Sequence, residues 1–315
     1  MSVFVFGPVP SRRLGRSLGI DPVPLKTCNW NCVYCQLGRS VPVTNERKDY
    51  WPPGQIVAEV RRVLQTRSER EIDWVTFLAS GEPTLHASLG RMIRDVKAIT
   101  QIPVAVITNG ALLYRPDVQE DLMAADAVLP SLDAGTAALY RAINRPHPEC
   151  TFDRLVNGLL EFRRAYQSKM WVEVMVVKGL NDTEEALRDL AGLFHKLQPD
   201  QVHLTTPVRP PAEPWVEPPD EQGMQRARSF LREWVQPEGP GAGIVKLSGI
   251  ESLPDALVAV VSRHPMTEAE LLRLLPDRSR EEVHRALSQL LESGRLQVVE
   301  RYGQQFWASG RSRYG

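Results

Sequence analysis

Cys28-Asn29-Trp30-Asn31-Cys32-Val33-Tyr34-Cys35 sets three thiols within eight residues, in a C-x3-C-x2-C spacing. Thiolates are soft anionic ligands, and three of them on one short loop let the backbone wrap a single iron–sulfur cluster. Four irons need four ligands, so three cysteines leave one iron open. An open coordination position is what a metal uses for chemistry rather than for scaffolding. The fourth cysteine, Cys150, stands alone far downstream beside Pro148 and reads as a plain thiol. Structural zinc usually takes two separated ligand pairs, and only Cys150 with His147 offers a second one. Such a pattern is no disulfide framework; it fits a reducing compartment, and a cytoplasmic location is expected.

Outward from this loop the chain alternates. Apolar or β-branched runs at 17–21, 74–79, 104–108, 127–132, 171–177 and 201–205 are expected strands. Between them lie helical stripes. Ile56, Val57, Val60, Val63 and Leu64 form one; Leu187, Leu190, Ala191, Phe194 and Leu197 form another, with Asp182 and Glu185 read as its capping pair. Strands alternating with helices imply βαβ units on a parallel sheet. Six units are too few for a full eight-stranded barrel, which leaves an open doubly wound sheet or a six-stranded, incompletely closed barrel. Ligands bind at the carboxyl ends of the strands in either case.

The stretch 206–220 is too rich in proline for helix or inner strand and is expected to run extended. Residues 237–245 read as a linker, dividing a domain of residues 1–236 from one of residues 246–315. Past the linker, a helix at 253–261, a capping box of Thr267 with Glu270, and a helix at 279–293 precede two strands joined around Tyr302-Gly303. Three helices and a hairpin in this order resemble a winged helix. No apolar run is long enough to cross a membrane, and the apolar start lacks the features of a signal peptide.

The cysteine spacing, with Tyr34 just before the last thiol, resembles the signature of the radical S-adenosylmethionine superfamily. The resemblance spans roughly residues 7–220. Ser80-Gly81-Glu82-Pro83 is similar to the segment that binds the methionine amino group in that family. Thr108-Asn109-Gly110, Ser131-Leu132-Asp133-Ala134, Asn144-Arg145-Pro146, Lys178-Gly179-Leu180-Asn181 and Pro207-Val208-Arg209-Pro210 look most like its molybdenum-cofactor and wyosine-synthase branch.

The resemblance implies a partial (β/α)6 barrel carrying a 4Fe–4S cluster on Cys28, Cys32 and Cys35. S-adenosylmethionine (SAM) would chelate the fourth iron and, on reduction, release a 5′-deoxyadenosyl radical that takes hydrogen from substrate. It further implies SAM contacts from Tyr34, Ser80, Gly81, Glu82, Pro83, Asn109, Ser131 and Asp133. The expected partners are an electron donor such as flavodoxin or ferredoxin, and a substrate that is a small molecule, a peptide or a tRNA. Wyosine synthesis uses a second cluster, for which this chain lacks the cysteines.

Several of these residues also have simpler readings. Asp133 suits a helix cap, Asn109-Gly110 suits a turn, and Glu173 on the fifth strand suits either a ligand or a basic core partner. Arg12, Arg13 and Arg16, close in sequence to the cysteine loop, are suited to an anionic cofactor or substrate group, as is Arg209.

Hydrophobic residues are 43%, charged residues 24%, and the formal net charge is zero over 315 residues, so the whole-molecule field favours neither nucleic acid nor membrane. From residue 246 onward ten Lys/Arg face nine Asp/Glu, and Glu281 and Glu282 open the would-be recognition helix, which argues against strong DNA binding. The competing class is an iron–sulfur-sensing regulator with a nucleic-acid-binding winged helix. It predicts a basic recognition helix and has no need of ligand motifs at successive strand ends.

Overall fold

The computed structural model describes residues 4–11, 13–78, 80–235 and 252–315. The expected linker at 237–245 and Arg12 lie outside them. The first 205 residues build a seven-stranded sheet whose spatial order follows the sequence: β1 (Val5–Ser11), β2 (Gly15–Ile20), β3 (Trp74–Phe77), β4 (Val104–Thr108), β5 (Ala127–Pro130), β6 (Lys169–Met175) and β7 (Gln201–Thr205). Strands β2 to β7 are parallel neighbours, and β1 runs antiparallel on the outer edge of β2. The sheet curls without closing, as a half-barrel, and among the described residues no pairing joins β7 to β1.

The six parallel strands are the six expected from sequence. The strand β1 was not expected, because Pro8 and Pro10 break its apolar pattern. Proline is tolerated at a sheet edge, where no partner needs its missing N–H, and the register slips between Phe6 and Val9.

Each parallel strand presents alternate residues to two cores. Val75, Phe77, Val104, Val106, Val128, Val172 and Val174 face outward onto the helices. There they meet Ile56 and Val60 of α1 (Pro53–Gln65), Met92 and Ile93 of α2 (Leu89–Lys97), Leu159 and Phe162 of α5 (Phe152–Ala165), and Leu187 and Phe194 of α6 (Glu184–Leu197). Full burial of each such side chain contributes about 1.5–3 kcal/mol. The shorter helices α3 (Pro116–Leu122) and α4 (Ala137–Asn144) complete the layer. The inward face is small: Leu14, Trp74, Ala105, Ile107, Ala127, Leu129 and Trp171 form a separate cluster. This plug fills the interior toward the amino ends of the strands and leaves the carboxyl ends open.

One start signal differs from its reading. Helix α6 is capped by Thr183, whose hydroxyl accepts from Ala186 N, while Asp182 accepts from Gly179 N at 2.7 Å. Asp182 thus closes the turn ahead of the helix, where Gly179 takes the left-handed φ of +71°.

Past β7, residues 206–220 contain neither helix nor strand and lead into α7 (Glu221–Phe230). The C-terminal unit has α8 (Leu253–Val261), α9 (Glu268–Leu274), α10 (Arg280–Glu292) and the hairpin β8 (Leu296–Arg301) and β9 (Gln304–Ser309). Both capping boxes, Thr267 with Glu270 and Ser279 with Glu282, are formed. Leu257, Val261, Leu271, Val283, Leu287, Leu290 and Trp307 make its own core. No helix among the described residues is long and apolar enough to cross a membrane.

Candidate functional site

The cysteine loop lies across the carboxyl end of the half-barrel, and backbone hydrogen bonds fix it from two sides. From the α4 end, Asn31 N donates to Asn144 O at 3.0 Å and Val33 N to Ile143 O at 2.9 Å, and Trp30 pairs with Pro146. From the β3 end, Glu82 N donates to Thr27 O at 2.8 Å and Lys26 N to Ser80 O at 2.6 Å. The Ser80–Gly81 backbone comes so close that a Cβ on Gly81 would sit 2.0 Å from Thr27 O. Only glycine allows that approach.

The three thiols line one cavity of about 910 Å³ together with Tyr34, Ser80 and Gly81. Each sulfur meets a donor. Trp30 N donates to Cys28 Sγ at 3.4 Å, Asn144 Nδ2 to Cys32 Sγ at 3.7 Å, and Lys26 Nζ to Cys35 Sγ at 3.1 Å. Burial pushes the Cys28 thiol up to about 12 although Lys26 pulls the other way, and burial with the neighbouring thiols pushes Cys32 well up. Ligation must therefore displace protons, which makes metal loading easier at higher pH. Among the described residues no group of three or more His, Cys, Asp or Glu is gathered to hold a single metal ion. Cys150 is buried beside Asn29 and Asn45, with Sγ 3.6 Å from Asn29 Nδ2, and its thiol is also raised to about 12 by burial.

The radical SAM superfamily model matches residues 23–191, more than half of the chain, and begins just before the cysteine loop. The chain belongs to the radical SAM superfamily. A UPF0026 protein of Methanocaldococcus jannaschii is 34% identical over 96% of this chain and 94% of its own length. A relative named GTPase Obg, from Brachyspira hyodysenteriae, is 42% identical over 72% of this chain, which spans only 33% of that protein. A GTP 3′,8-cyclase of Lactiplantibacillus plantarum is 24% identical over 50% of this chain and 45% of its own. The solved structure of native anSMEcpe with bound AdoMet shares the fold, with a TM-score of 0.51 at 16% identity over 69% of this chain and 60% of that one. The protein is an enzyme of this superfamily, whose members use a 4Fe–4S cluster and SAM.

For a radical SAM enzyme, the placement of the remaining motif residues is instructive. Glu82 is 1% exposed and lies outside the cavity lining. Its carboxylate accepts from Thr84 N, Thr84 Oγ1 and Thr108 Oγ1 at 2.9, 2.7 and 2.6 Å, and from Asn109 N at 2.7 Å. Burial raises its pKa against these donors. It braces the β3 end against the β4 end, while Pro83 opens the short turn Pro83–Leu85 that follows. Asn109 Nδ2 donates to Asn29 Oδ1 at 2.6 Å and lies 3.8 Å from Cys28 Sγ.

Asp133 is also buried, and burial raises its pKa. It accepts from Tyr34 Oη at 2.5 Å, Asn144 Nδ2 at 2.7 Å and Met175 N at 2.8 Å. It caps no helix, since Thr136 caps α4. Ser131 is half-buried at the end of β5, where its N donates to Thr108 O. The loops over Glu82, Asn109 and Asp133 are thus sewn to one another and to the cysteine loop, while Tyr34, Ser80 and Gly81 face the cavity.

The arginines separate. Arg13 pairs with Glu173 inside the half-barrel, the second of the two readings open for Glu173. Arg16 instead pairs with exposed Asp73 at 2.8 Å and lies outside the cavity lining. Its strand neighbours point the other way because side chains alternate. Arg209 pairs with Glu270 and lines the cavity.

Sequence reasoning missed Lys26, Asn29, Asp21, His203, Arg263 and His264. Lys26, two residues before Cys28, carried the only local signal: a cation next to a thiolate loop. Asn29 lies within the cysteine motif itself, and Asp21, His203, Arg263 and His264 reach the site by tertiary contact. Asp21 accepts from Ser80 Oγ at 2.6 Å and from Arg263 Nε at 3.2 Å.

The three thiols fit a cluster. They converge on one cavity, each sulfur receives a donor, and none is consumed by a disulfide. Hydrogen bonds to the ligating sulfurs are among the levers that set a cluster's potential. The backbone cradle at Gly81 borders the same space.

Proposed function

We propose that this chain is a radical SAM enzyme in which Cys28, Cys32 and Cys35 hold a 4Fe–4S cluster with one open iron. When bound, the cluster supplies the electron that cleaves SAM to a 5′-deoxyadenosyl radical, which abstracts hydrogen from substrate. The observation that carries the reading is the convergence of the three thiols, each with an N–H donor, on the cavity bordered by Ser80 and Gly81.

The chain's own residues orient and enclose. The Ser80–Gly81 edge offers backbone to the amino acid end of SAM, and Tyr34 lies beside the second thiol, its ring held by Asp133. Glu82, Asn109 and Asp133 act through the loops they tie rather than by lining the chamber. Lys26, at Cys35, offsets thiolate charge; burial opposes its ammonium, but the three sulfurs hold it above its usual value. The electron comes from an external reductant such as flavodoxin or ferredoxin. The C-terminal unit is winged-helix-like, and its packing against the cavity favours a part of the enzyme over a DNA-binding sensor module.

Anaerobic reconstitution with iron and sulfide, then dithionite and SAM, tests the proposal by mass-spectrometric assay of 5′-deoxyadenosine. The nucleoside is expected from the native chain and absent in Cys32→Ala. A chain that assembles no cluster overturns the reading.

A further inference from the structure

A buried carboxylate holds the Ser80–Gly81 edge from behind. Asp21 follows directly on β2; its Oδ1 accepts from Ser80 N at 3.0 Å and its Oδ2 from Ser80 Oγ at 2.6 Å. Both of Ser80's donors therefore go to Asp21, while Ser80 O accepts from Lys26 N at 2.6 Å. The placement of the edge follows from where these two partners stand.

Asp21 is 5% exposed, and a buried carboxylate is costly unless it is paired and hydrogen-bonded. The cation that meets it comes from the C-terminal unit. Arg263 Nε lies 3.2 Å from Asp21 Oδ2, across 242 residues of sequence. Burial pushes the Asp21 carboxyl up, and Arg263 and then Ser80 pull it back toward the charged form. Without the guanidinium the carboxyl moves further toward its neutral form, which is a weaker acceptor for Ser80.

Arg263 is itself aimed. It sits just past the end of α8, where its Nη1 donates back to Ala259 O at 3.0 Å, and its guanidinium lies 4.7 Å from the Phe6 ring centroid. A helix-end carbonyl, an aromatic ring and a carboxylate thus fix the fork on three sides. The backbone of the same residue reaches the other jaw of the site, since Gln36 Nε2, beside Cys35, donates to Arg263 O at 3.0 Å. One residue of the C-terminal unit thereby touches the cysteine loop by its main chain and, through Asp21, the Ser80–Gly81 edge by its side chain. It lines the chamber between them. Docking alone does not require this pair, because other ties already hold the unit. Tyr314 Oη donates to Gln36 O at 2.7 Å and Arg39 N to Arg313 O at 2.7 Å.

We infer that Arg263 is a positioning residue for SAM: from the C-terminal unit it holds Asp21, and through Asp21 the Ser80–Gly81 edge, in the placement that receives the amino acid end of SAM. The inference rests on the reading of that edge as the seat of SAM under the proposed function. The winged-helix-like unit is then part of the cofactor site and contributes to SAM affinity.

The test is equilibrium dialysis of the anaerobically reconstituted full chain with radiolabelled SAM and no reductant, so that no SAM is cleaved. Iron and sulfide are counted in the same samples, and Kd is taken per loaded cluster. Arg263→Gln should raise the Kd about tenfold with cluster content kept. Arg263→Lys keeps the charge without the fork and should fall between it and the native chain. Asp21→Asn acts from the barrel side, without changing a residue of the C-terminal unit, and should also raise the Kd. The double variant Asp21→Asn with Arg263→Gln should bind no more weakly than the poorer single variant, since the two residues act as one unit. Tyr314→Phe removes a docking tie that does not touch Asp21 and should leave the Kd unchanged. A Kd unmoved by Arg263→Gln in a chain with a full cluster overturns the inference, as do additive losses in the double variant. A loss in Tyr314→Phe as large as that in Arg263→Gln overturns it too, because the effect is then one of docking. If Arg263→Gln does not fold, Arg263→Lys and Asp21→Asn carry the same comparisons. A native chain that loads no cluster, or loads one and holds no SAM, instead overturns the proposed function.

Discussion

Replacing Gly81 by alanine tests how tightly the Ser80–Gly81 edge is pressed on the cysteine loop. Gly81 has no left-handed φ, so the substitution acts through space alone. The added methyl would sit 2.0 Å from Thr27 O and 2.7 Å from Thr27 C, both backbone atoms. Comfortable contact is about 3.5 Å, so the two segments must part by about 1.5 Å. They are joined by Glu82 N to Thr27 O and Lys26 N to Ser80 O, and both bonds stretch beyond use if they part. Overpacking costs about 1–3 kcal/mol and each lost hydrogen bond about 1 kcal/mol, giving a total of about 3–5 kcal/mol. Cys28 follows Thr27 directly, so the displacement passes to the first thiol. Urea unfolding should show a midpoint lowered by about 1 M or more, and reconstituted Gly81→Ala should hold less than half the iron and sulfide of the native chain. A variant with an unchanged midpoint and full cluster content would refute the reasoning.

Two other outcomes follow from the site's surroundings. The His264 imidazole is held at about 4 by burial and then by Arg209, Arg263 and Arg13, against an ordinary value of 6.5. The unfolded chain therefore takes up the proton first, so this stability is present above pH 6.5 and lost as pH falls toward 4, about 2 kcal/mol between pH 7 and pH 5. His264→Asn should show a smaller loss of urea midpoint over that interval, and an undiminished loss counts against the argument. Glu213, at a bend in the proline-rich arm, is buried between Arg39 at 2.8 Å and Arg145 at 2.5 Å, which hold its carboxyl below the usual range. Glu213→Ala leaves two half-exposed guanidinium groups without their shared carboxylate and should cost about 1 kcal/mol, with faster loss of iron from the reconstituted chain on exposure to a chelator.

Much of the fold was legible because its signals are local. The six parallel strands each carry the apolar runs that the outer helices require, and helices α9 and α10 carry their stripes and caps within a few residues. The proline-rich arm is neither helix nor strand, as read, since proline donates no hydrogen bond, but it bends and turns at 212–215 where an extended run was expected. What escaped was β1, whose prolines contradict a strand everywhere except at an edge, and the true cap of α6. Two residues with oxygen side chains, Asp182 and Thr183, competed for that cap, and only the path of the preceding turn decides between them.

In the site the division is sharper. The cysteine spacing and the motifs at successive strand ends announced the superfamily, because a cluster loop and its neighbouring ligand loops have to recur at the carboxyl ends of the strands. Their division of labour was not readable. Glu82 and Asp133 look like ligand contacts in sequence, and in the fold their oxygens accept from Thr84, Thr108, Asn109, Tyr34 and Asn144, a bracing role that no local spacing records. Arg13 and Arg16 look alike, and the turn between β1 and β2 sends one into the half-barrel and the other to solvent.

By itself, then, the sequence determined the superfamily and the alternation of strands and helices, since both are written in spacings of three to eight residues. Which polar groups border the chamber, and that Arg263 and His264 help to wall it from more than two hundred residues away, were decided by tertiary structure. The curl of the sheet leaves one side open, and what covers an open side depends on where a distant unit docks, which no local spacing records.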